Sequence, residues 1–477
     1  MTQRHADTGW FRQFGVEHET LSTVLAAATR HGADDADLYF EHATSTSLGL
    51  SDGKVNRAHT SIDLGVGVRV VVGDQVGYAY TEDLSLESML RAAATAAAIA
   101  RTGRGASSPI EIRARHTSDH YPVQRFWRDV DLSERVPLIR DWEARAFAVD
   151  SRVVKVQCSL ADTDKHVLIA RADGQMSVDY RPMTRAVVSC TAERGSERES
   201  GSYNVASRSD LSYFSADRQE RLVTLGVKRA LQALDAGSAP AGEMPVVMGA
   251  GSSGILLHEA IGHGMEADFN RKNISIYADK LNKRIAPPSV TIHDDATLKN
   301  ARGSLNVDDE GSPVEDTVLV EDGVLRSYLH DRISAKHYGV ESTGSGRRES
   351  FRHPVLPRMR STYMSPGEHP PEDIIRTVKR GLYCETFANG SVQIGAGDFA
   401  FYVRHGYLIE DGKLTQPVKD VNLIGNGPKV LEGIEMVGND LVIDEGGWTC
   451  GKDGQGVPVS QGMPTVLVNQ LSVGGRS

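Results

Sequence analysis

A histidine, a glutamate and a second histidine stand close together in His258-Glu259-Ala260-Ile261-Gly262-His263. Neutral imidazoles bind zinc, and a carboxylate beside them can take the proton from a metal-bound water. These residue types are therefore the parts of a metal-activated hydrolase. The familiar spacing is H-E-x-x-H, which sets both histidines on one face of a helix. Here one more residue intervenes. At roughly 100° per residue, a step of four returns to within about 40° of the start, whereas a step of five lands about 140° away. An unbroken α-helix would aim the two rings apart. They can share a metal only if the helix is wound locally as a π-turn or ends before His263. Gly262 stands where either distortion is cheap. The spacing predicts a helix from about Ser253 that loosens at Gly262.

A catalytic zinc also needs a third protein ligand and one open position. Glu266 and Asp268 follow closely and are chemically suitable, and each could equally be a solvated acid beyond the helix. Cys450 is the other candidate. It lies in Gly446–Gly456, GGWTCGKDGQG, where five glycines in eleven residues allow the tight backbone approach of a metal-ligand loop. Lys452 could help hold its sulfur as thiolate. The competing reading is a small buried cysteine, and Cys158, Cys190 and Cys384 are read that way. Cys450 as a bare nucleophile would leave the histidines without a task.

Two further clusters carry charge. Asp308-Asp309-Glu310-Gly311 could bind a divalent cation through oxygens, but a solvated turn is the favoured reading. Arg347, Arg348, Arg352, Arg358 and Arg360 concentrate positive charge that could meet substrate carboxylates, a partner surface, or simply a salt-bridged loop. Gly344-Ser345-Gly346 before them lacks the lysine-serine ending of a phosphate-binding loop.

The elements that must position these groups fall into three units. Residues 1–115 read as an N-terminal α/β layer. It holds an amphipathic helix over Glu19–Arg30, short strands at Asp37–His42, Ser47–Leu50 and Gly65–Val72, and an alanine-rich helix over Leu84–Arg101. Residues 120–235 read as a middle α/β unit. It has a helix near Asp131–Ala148, strands at Val153–Leu160, Val167–Ala170 and Met176–Cys190, and a closing helix at Ala216–Leu234. Asp235–Gly242 reads as a linker. Residues 243–477 form a mostly β domain that carries the metal motif on a helix. Asp52-Gly53 and Asp173-Gly174 are hairpin signals, and Asp322-Gly323 and Asp411-Gly412 could mark two hairpins of one curved sheet or barrel. One helix, Pro371–Arg380, interrupts those strands. The fold class is α+β.

With 477 residues, 40% hydrophobic and 24% charged, the chain can bury a large core. A formal net charge of −10 gives no footprint for nucleic acid and none for an anionic membrane. Four cysteines without a C-x-x-C pair are no disulfide framework. No run of 18 apolar residues predicts a membrane span, and the first residues lack a signal-peptide core. The expectation is a soluble cytoplasmic protein.

Longer motifs go beyond a generic zinc site. Leu256–Asn270 (LLHEAIGHGMEADFN), Gly303–Gly311 (GSLNVDDEG), Thr343–Ser350 (TGSGRRES), Pro357–Met359, Met436–Asp440 and Cys450–Gln455 (CGKDGQ) occur in order across the third unit. Together they resemble the TldD/PmbA family of bacterial metalloproteases, specifically the TldD type, whose H-E-x-x-x-H is intact, rather than the PmbA (TldE) type, which lacks it. The resemblance implies a zinc peptidase with His258, His263 and Cys450 as ligands and Glu259 as general base. It also implies an unfolded peptide substrate held extended, and a TldE-like partner subunit or a homodimer. The alternative is a non-catalytic, β-rich assembly or peptide-binding subunit with a structural metal.

Overall fold

Six of the seven strands in the first sheet are antiparallel neighbours, and four of those are very long. A computed structural model of the chain describes residues 8–100 and 110–474. Residues 1–7 and Arg101, the last residue of the expected alanine-rich helix, lie outside the described residues. In order across the sheet run Gln75–Thr81, Lys54–Val72, Asp35–Ser51, Val153–Arg171, Gln175–Arg194 and Glu197–Ser207. The short strand Arg113–Ala114 pairs in parallel with the start of Gln175–Arg194.

The short strand runs read from the sequence therefore merge into strands of 17 to 20 residues. The reason is chemical. Polar β-formers such as Thr44-Ser45-Thr46 interrupt the hydrophobic pattern without interrupting the ladder. Their hydroxyls pair across strands instead, as between Ser45 and Thr163 at 3.0 Å and between Thr46 and Thr60 at 3.3 Å. Asp52-Gly53 turns the first hairpin with φ of 54° and 71°, the left-handed pair a type I′ turn requires.

One sheet thus runs through both the 1–115 and the 120–235 segments, with a separate pair of helices on each half. His18–Thr29 and Leu86–Ile99 cover one core, where Leu21, Val24 and Ala93 meet Phe40, Val66 and Val68. Leu132–Val149 and Ala216–Asp235 cover the other, where Trp142, Ile139 and Leu222 meet Val156 and Val188. Their starts are chemically marked. Asp131 and Glu134 form a capping box, and Ser85 and Ser215 accept from backbone amides three residues on.

The remaining residues hold a closed barrel. Gly242–Met248, Arg380–Val392, Asp398–Glu410, Lys413–Asn426 and Val466–Gly474 pair in a ring. The pairing of Asn422, Leu423 and Ile424 with Gly474, Val473 and Ser472 closes it. A separate six-stranded sheet packs beside the barrel. Asp411-Gly412 joins two barrel strands, whereas Asp322-Gly323 belongs to the six-stranded sheet, so the two similar hairpins do not share one sheet. The segment read as a linker is partly pinned, because Gly237 and Ser238 pair with Val418 and Lys419. The expected Pro371–Arg380 helix spans Pro371–Thr377.

The acidic turn departs most from expectation. Asp308, Asp309 and Glu310 are 0%, 3% and 0% exposed, so a solvated turn is wrong. Asp309 and Glu310 meet arginines of the first sheet, while Asp308 accepts the backbone amides of Glu310, Ser312 and Gly346. Arg69 reaches Glu310 at 2.6 Å and Asp37 at 2.5 Å, and Arg181 pairs with Asp309. Arg348 closes the set on Asp37 at 3.0 Å. Buried acids are tolerated when paired or hydrogen-bonded, and here the counter-charges of Asp309 and Glu310 arrive from distant strands. No described helix is long and apolar enough to cross a membrane.

Candidate metal centre

The motif segment is not a plain helix. A 3-10 turn at Ser252–Gly254 leads into Ile255–Leu257, and a π-helical turn follows over His258–Gly262. The His263 amide donates to the His258 carbonyl, the bond that makes a five-residue step close one turn. The rings of His258 and His263 consequently face each other at 5.1 Å, nearly perpendicular. Of the two distortions the spacing allowed, the π-turn is the one present, and it begins at His258 rather than loosening at Gly262.

Gly262 itself is an ordinary right-handed helical residue, with φ of −54°. Its role is space: a Cβ there would run into the Met359 sulfur. The Tyr277 hydroxyl donates to the Ala260 carbonyl at 3.0 Å, a carbonyl inside the π-turn. Gly254 lies against the backbone of Gly462, where a Cβ would stand 2.7 Å from the amide nitrogen. Backbone cannot step aside as a side chain can. Gly254→Ala should therefore cost about 1–3 kcal/mol of stability, measured as a lower melting temperature. An unchanged melt would mean this approach is not tight.

Cys450 reaches the same point from far along the chain. It sits on the hairpin of Thr449–Lys452 with Gln455–Pro458, turned by Asp453-Gly454 at φ of 48° and 74°. Its sulfur is 3.6 Å from His263 Nε2. Ligand atoms of His258, His263 and Cys450 all lie within 4.8 Å of one another. A thiolate and an imidazole on one tetrahedral zinc would stand roughly 3.5 Å apart, given bonds of about 2.3 and about 2.0 Å. Spacing and donor chemistry thus fit zinc.

Glu266 and Asp268, the other candidates for a third ligand, stand behind this cluster. Glu266 is wholly buried and takes His263 Nδ1 at 3.0 Å, which fixes the ring with its other nitrogen toward Cys450. Lys452 lies 3.2 Å from Glu266 and 2.7 Å from Asp268. Its ammonium therefore serves these acids, not the sulfur as the sequence suggested. Arg358 approaches Glu266 at 3.8 Å and donates to the Cys450 carbonyl at 2.6 Å. Burial disfavours charge on Glu266, His263 and Cys450, yet their neighbours win, whereas at Asp268 burial prevails and raises the carboxyl. Lys452, His263 and Arg358 hold Glu266 down to about 2. Glu266 and Cys450 hold the His263 imidazolium well above its usual range. The two imidazoles hold the Cys450 thiol well below its own. Cys158, Cys190 and Cys384 go the other way, since burial raises each, as suits small buried residues. The i,i+3 spacing of His263 and Glu266 could have flagged this contact; nothing local points to Arg358 or Tyr277.

A cavity of about 600 Å³ opens on the cluster, and Glu259 stands on its wall beside His258. Gly390 passes so close that a Cβ there would sit 3.0 Å from Glu259 Cγ. Strand Arg380–Val392 pairs with Val246, Val247 and Met248 only through Leu382, Tyr383 and Cys384. Beyond that point the same edge has no strand partner among the described residues, and Ala388–Val392 line the cavity.

The arginine-rich segment is mostly a buried network. Arg360 is wholly buried on Asp294 at 2.6 Å, and Arg352 pairs with Asp63 and Glu82 at 2.9 and 2.7 Å.

Comparison with known proteins accords with this architecture. Models of the PmbA/TldA metallopeptidase family match in three parts: domain 1 at 36–100, the central domain at 126–234 and the C-terminal domain at 241–475. A metalloprotease TldD homolog of Haemophilus influenzae is 40% identical over 465 residues, covering 96% of each chain. One of Buchnera aphidicola subsp. Schizaphis graminum is 36% identical over 467 residues, again covering 96% of each. The crystal structure of TldE from Thermococcus kodakarensis superposes with a TM-score of 0.73 at 19% identity, over 96% of this chain and 100% of that one.

Proposed function

Because this chain belongs to the PmbA/TldA (TldD/PmbA) metallopeptidase family, we propose that it is a zinc-dependent peptidase of the TldD type that hydrolyses unfolded peptides. The observation that carries the reading is the meeting of two imidazoles and a thiol within 4.8 Å, on a cavity wall shared with Glu259. His258, His263 and Cys450 would hold the metal. Bound there, zinc would polarise the scissile carbonyl and lower the pKa of water.

Glu259 does the proton work. Its carboxylate takes a proton from the attacking water as the oxygen adds to the carbonyl carbon, and passes it to the amide nitrogen as the C–N bond breaks. Glu266 keeps His263 in one orientation throughout. The unpaired edge at Ala388–Val392 offers main-chain hydrogen bonds to an extended peptide, and such bonds are blind to side chains. The three-ligand cluster on a roomy cavity favours catalysis over a closed, structural site.

A TldE-like chain is the proposed partner, with a second copy of this chain as the alternative. The cytoplasm is the proposed compartment, in keeping with four unpaired cysteines. Chelation tests the reading. Purified protein, assayed alone and with a TldE-like chain on an unfolded polypeptide, should lose hydrolysis on metal removal and regain it with zinc. Hydrolysis that persists without metal would instead favour a cysteine nucleophile.

A further inference from the structure

A second cavity, of about 380 Å³, lies between the first sheet and the C-terminal domain. Cations outnumber acids on its walls, in a chain whose net charge is −10. Four of them are neutralised: Lys165 by Glu41 at 3.1 Å, Arg348 by Asp37 at 3.0 Å, Arg181 by Asp179 at 2.7 Å, and Arg352 by Asp63 at 2.9 Å. Arg208, Arg302 and Arg347 have no carboxylate partner among the described residues.

Arg347 is 2% exposed and donates to two carbonyls, of Met359 at 2.5 Å and Pro458 at 2.6 Å. Arg302 donates to the Trp448 carbonyl at 3.0 Å. Arg208 is the telling residue. It is 4% exposed, its Nε is buried without a hydrogen-bond partner, and its guanidinium lies over the Tyr121 ring at 5.2 Å. Burial, and then the charge of Arg208, push Arg347 down to about 9. Burial, then Arg185 and Arg208, push Arg302 down to about 10. A salt-bridged loop would supply each of these with an acid, as it does for their neighbours. Three guanidiniums with no carboxylate at ion-pair distance among the described residues, around a cavity that Asp309 and Glu349 also line, are costly unless an anion enters.

The position of the cavity indicates which anion. Thr449, Gly456 and Pro458 of the Cys450 hairpin form part of its wall, and Thr449 lines the metal-centre cavity as well. The hairpin is a partition between the two spaces. We infer that Arg208, Arg302 and Arg347 form an oxyanion subsite whose occupant is a carboxylate of the peptide, either its free C-terminus or an acidic side chain. The forked geometry of guanidinium suits carboxylate oxygens in pairs. The choice of occupant rests on the peptidase reading above; the subsite does not.

Two calorimetric titrations of the metal-loaded protein test this. With sulfate as a bare oxyanion probe, wild type should bind one ion per chain. Arg208→Gln should weaken that binding about tenfold or more, as expected for a hydrogen bond to a charged group, and Arg208→Lys should restore part of it. Among the described residues the Arg208 side chain makes no hydrogen bond and is held by its stacking on Tyr121, so a melting temperature taken beside each titration separates lost binding from lost fold; Arg302→Gln is the second variant. The other titration uses the Glu259→Gln protein, so that turnover plays no part. Its ligands are an extended peptide with a free C-terminus and one glutamate, the C-terminal amide of that peptide, and its glutamine form. One of the neutralised peptides should bind about tenfold more weakly, and adding Arg208→Gln should erase the difference. No sulfate binding overturns the subsite. Sulfate binding with three equal peptide affinities overturns the substrate assignment. Both titrations succeeding in a protein that hydrolyses nothing would sink the peptidase reading and leave the subsite standing.

Discussion

Glu259→Gln should retain its zinc and lose peptide hydrolysis by about 10² to 10⁴-fold, the usual worth of a positioned general base. The substitution keeps the size of the side chain and removes only its ability to take a proton. Glu259 is suited to the role by place. It follows His258 on the π-turn, lies on the cavity wall, and has no ion-pair partner among the described residues that would compete for its carboxylate. The Gly390 backbone runs alongside it, so a strand-like peptide bound at that edge would bring its carbonyls within reach. Metal analysis and a peptide assay on the same preparation give the answer. Native turnover with full zinc would remove Glu259 from the chemistry.

Cys450→Ala should lose both zinc and activity while the fold survives. The thiolate would be the charged donor of the proposed set, and two neutral imidazoles alone bind zinc far less tightly. The backbone carbonyl of Cys450, not its side chain, receives Arg358, so alanine leaves that anchor in place. Glu266→Gln offers a graded comparison. It keeps all three proposed ligands and alters only the partner of His263, and should weaken zinc binding by about 10 to 100-fold. Competition with a metal-sensitive dye ranks the three proteins. A Cys450→Ala protein that binds zinc like wild type would place the third ligand elsewhere.

Fold elements were legible wherever the signal is local. Helix starts at Asp131 and Ser215 carry their own capping chemistry, and Asp-Gly pairs announce left-handed turns. Strand lengths were not, because Thr44-Ser45-Thr46 continues a ladder through cross-strand partners that sequence proximity does not reveal. The acidic turn misled for a related reason. A cluster of acids predicts solvent until one knows that Arg69, Arg181 and Arg348 come to meet it.

The amino-acid sequence by itself determined that His258 and His263 could face one metal only through a distorted helix, since five residues cannot close an α-helical turn. It also determined the α+β class and the family resemblance. Residue types alone left Cys450 level with Glu266 and Asp268 as a third ligand. The family resemblance points to Cys450, and the tertiary structure brings its hairpin sulfur to the imidazoles with both acids behind. The tertiary structure also decided which arginines keep an unanswered charge. Geometry within one turn follows from bond angles and spacing, whereas a meeting such as that of Cys450 with His263, 187 residues apart, depends on how whole sheets pack, and no local pattern carries that information.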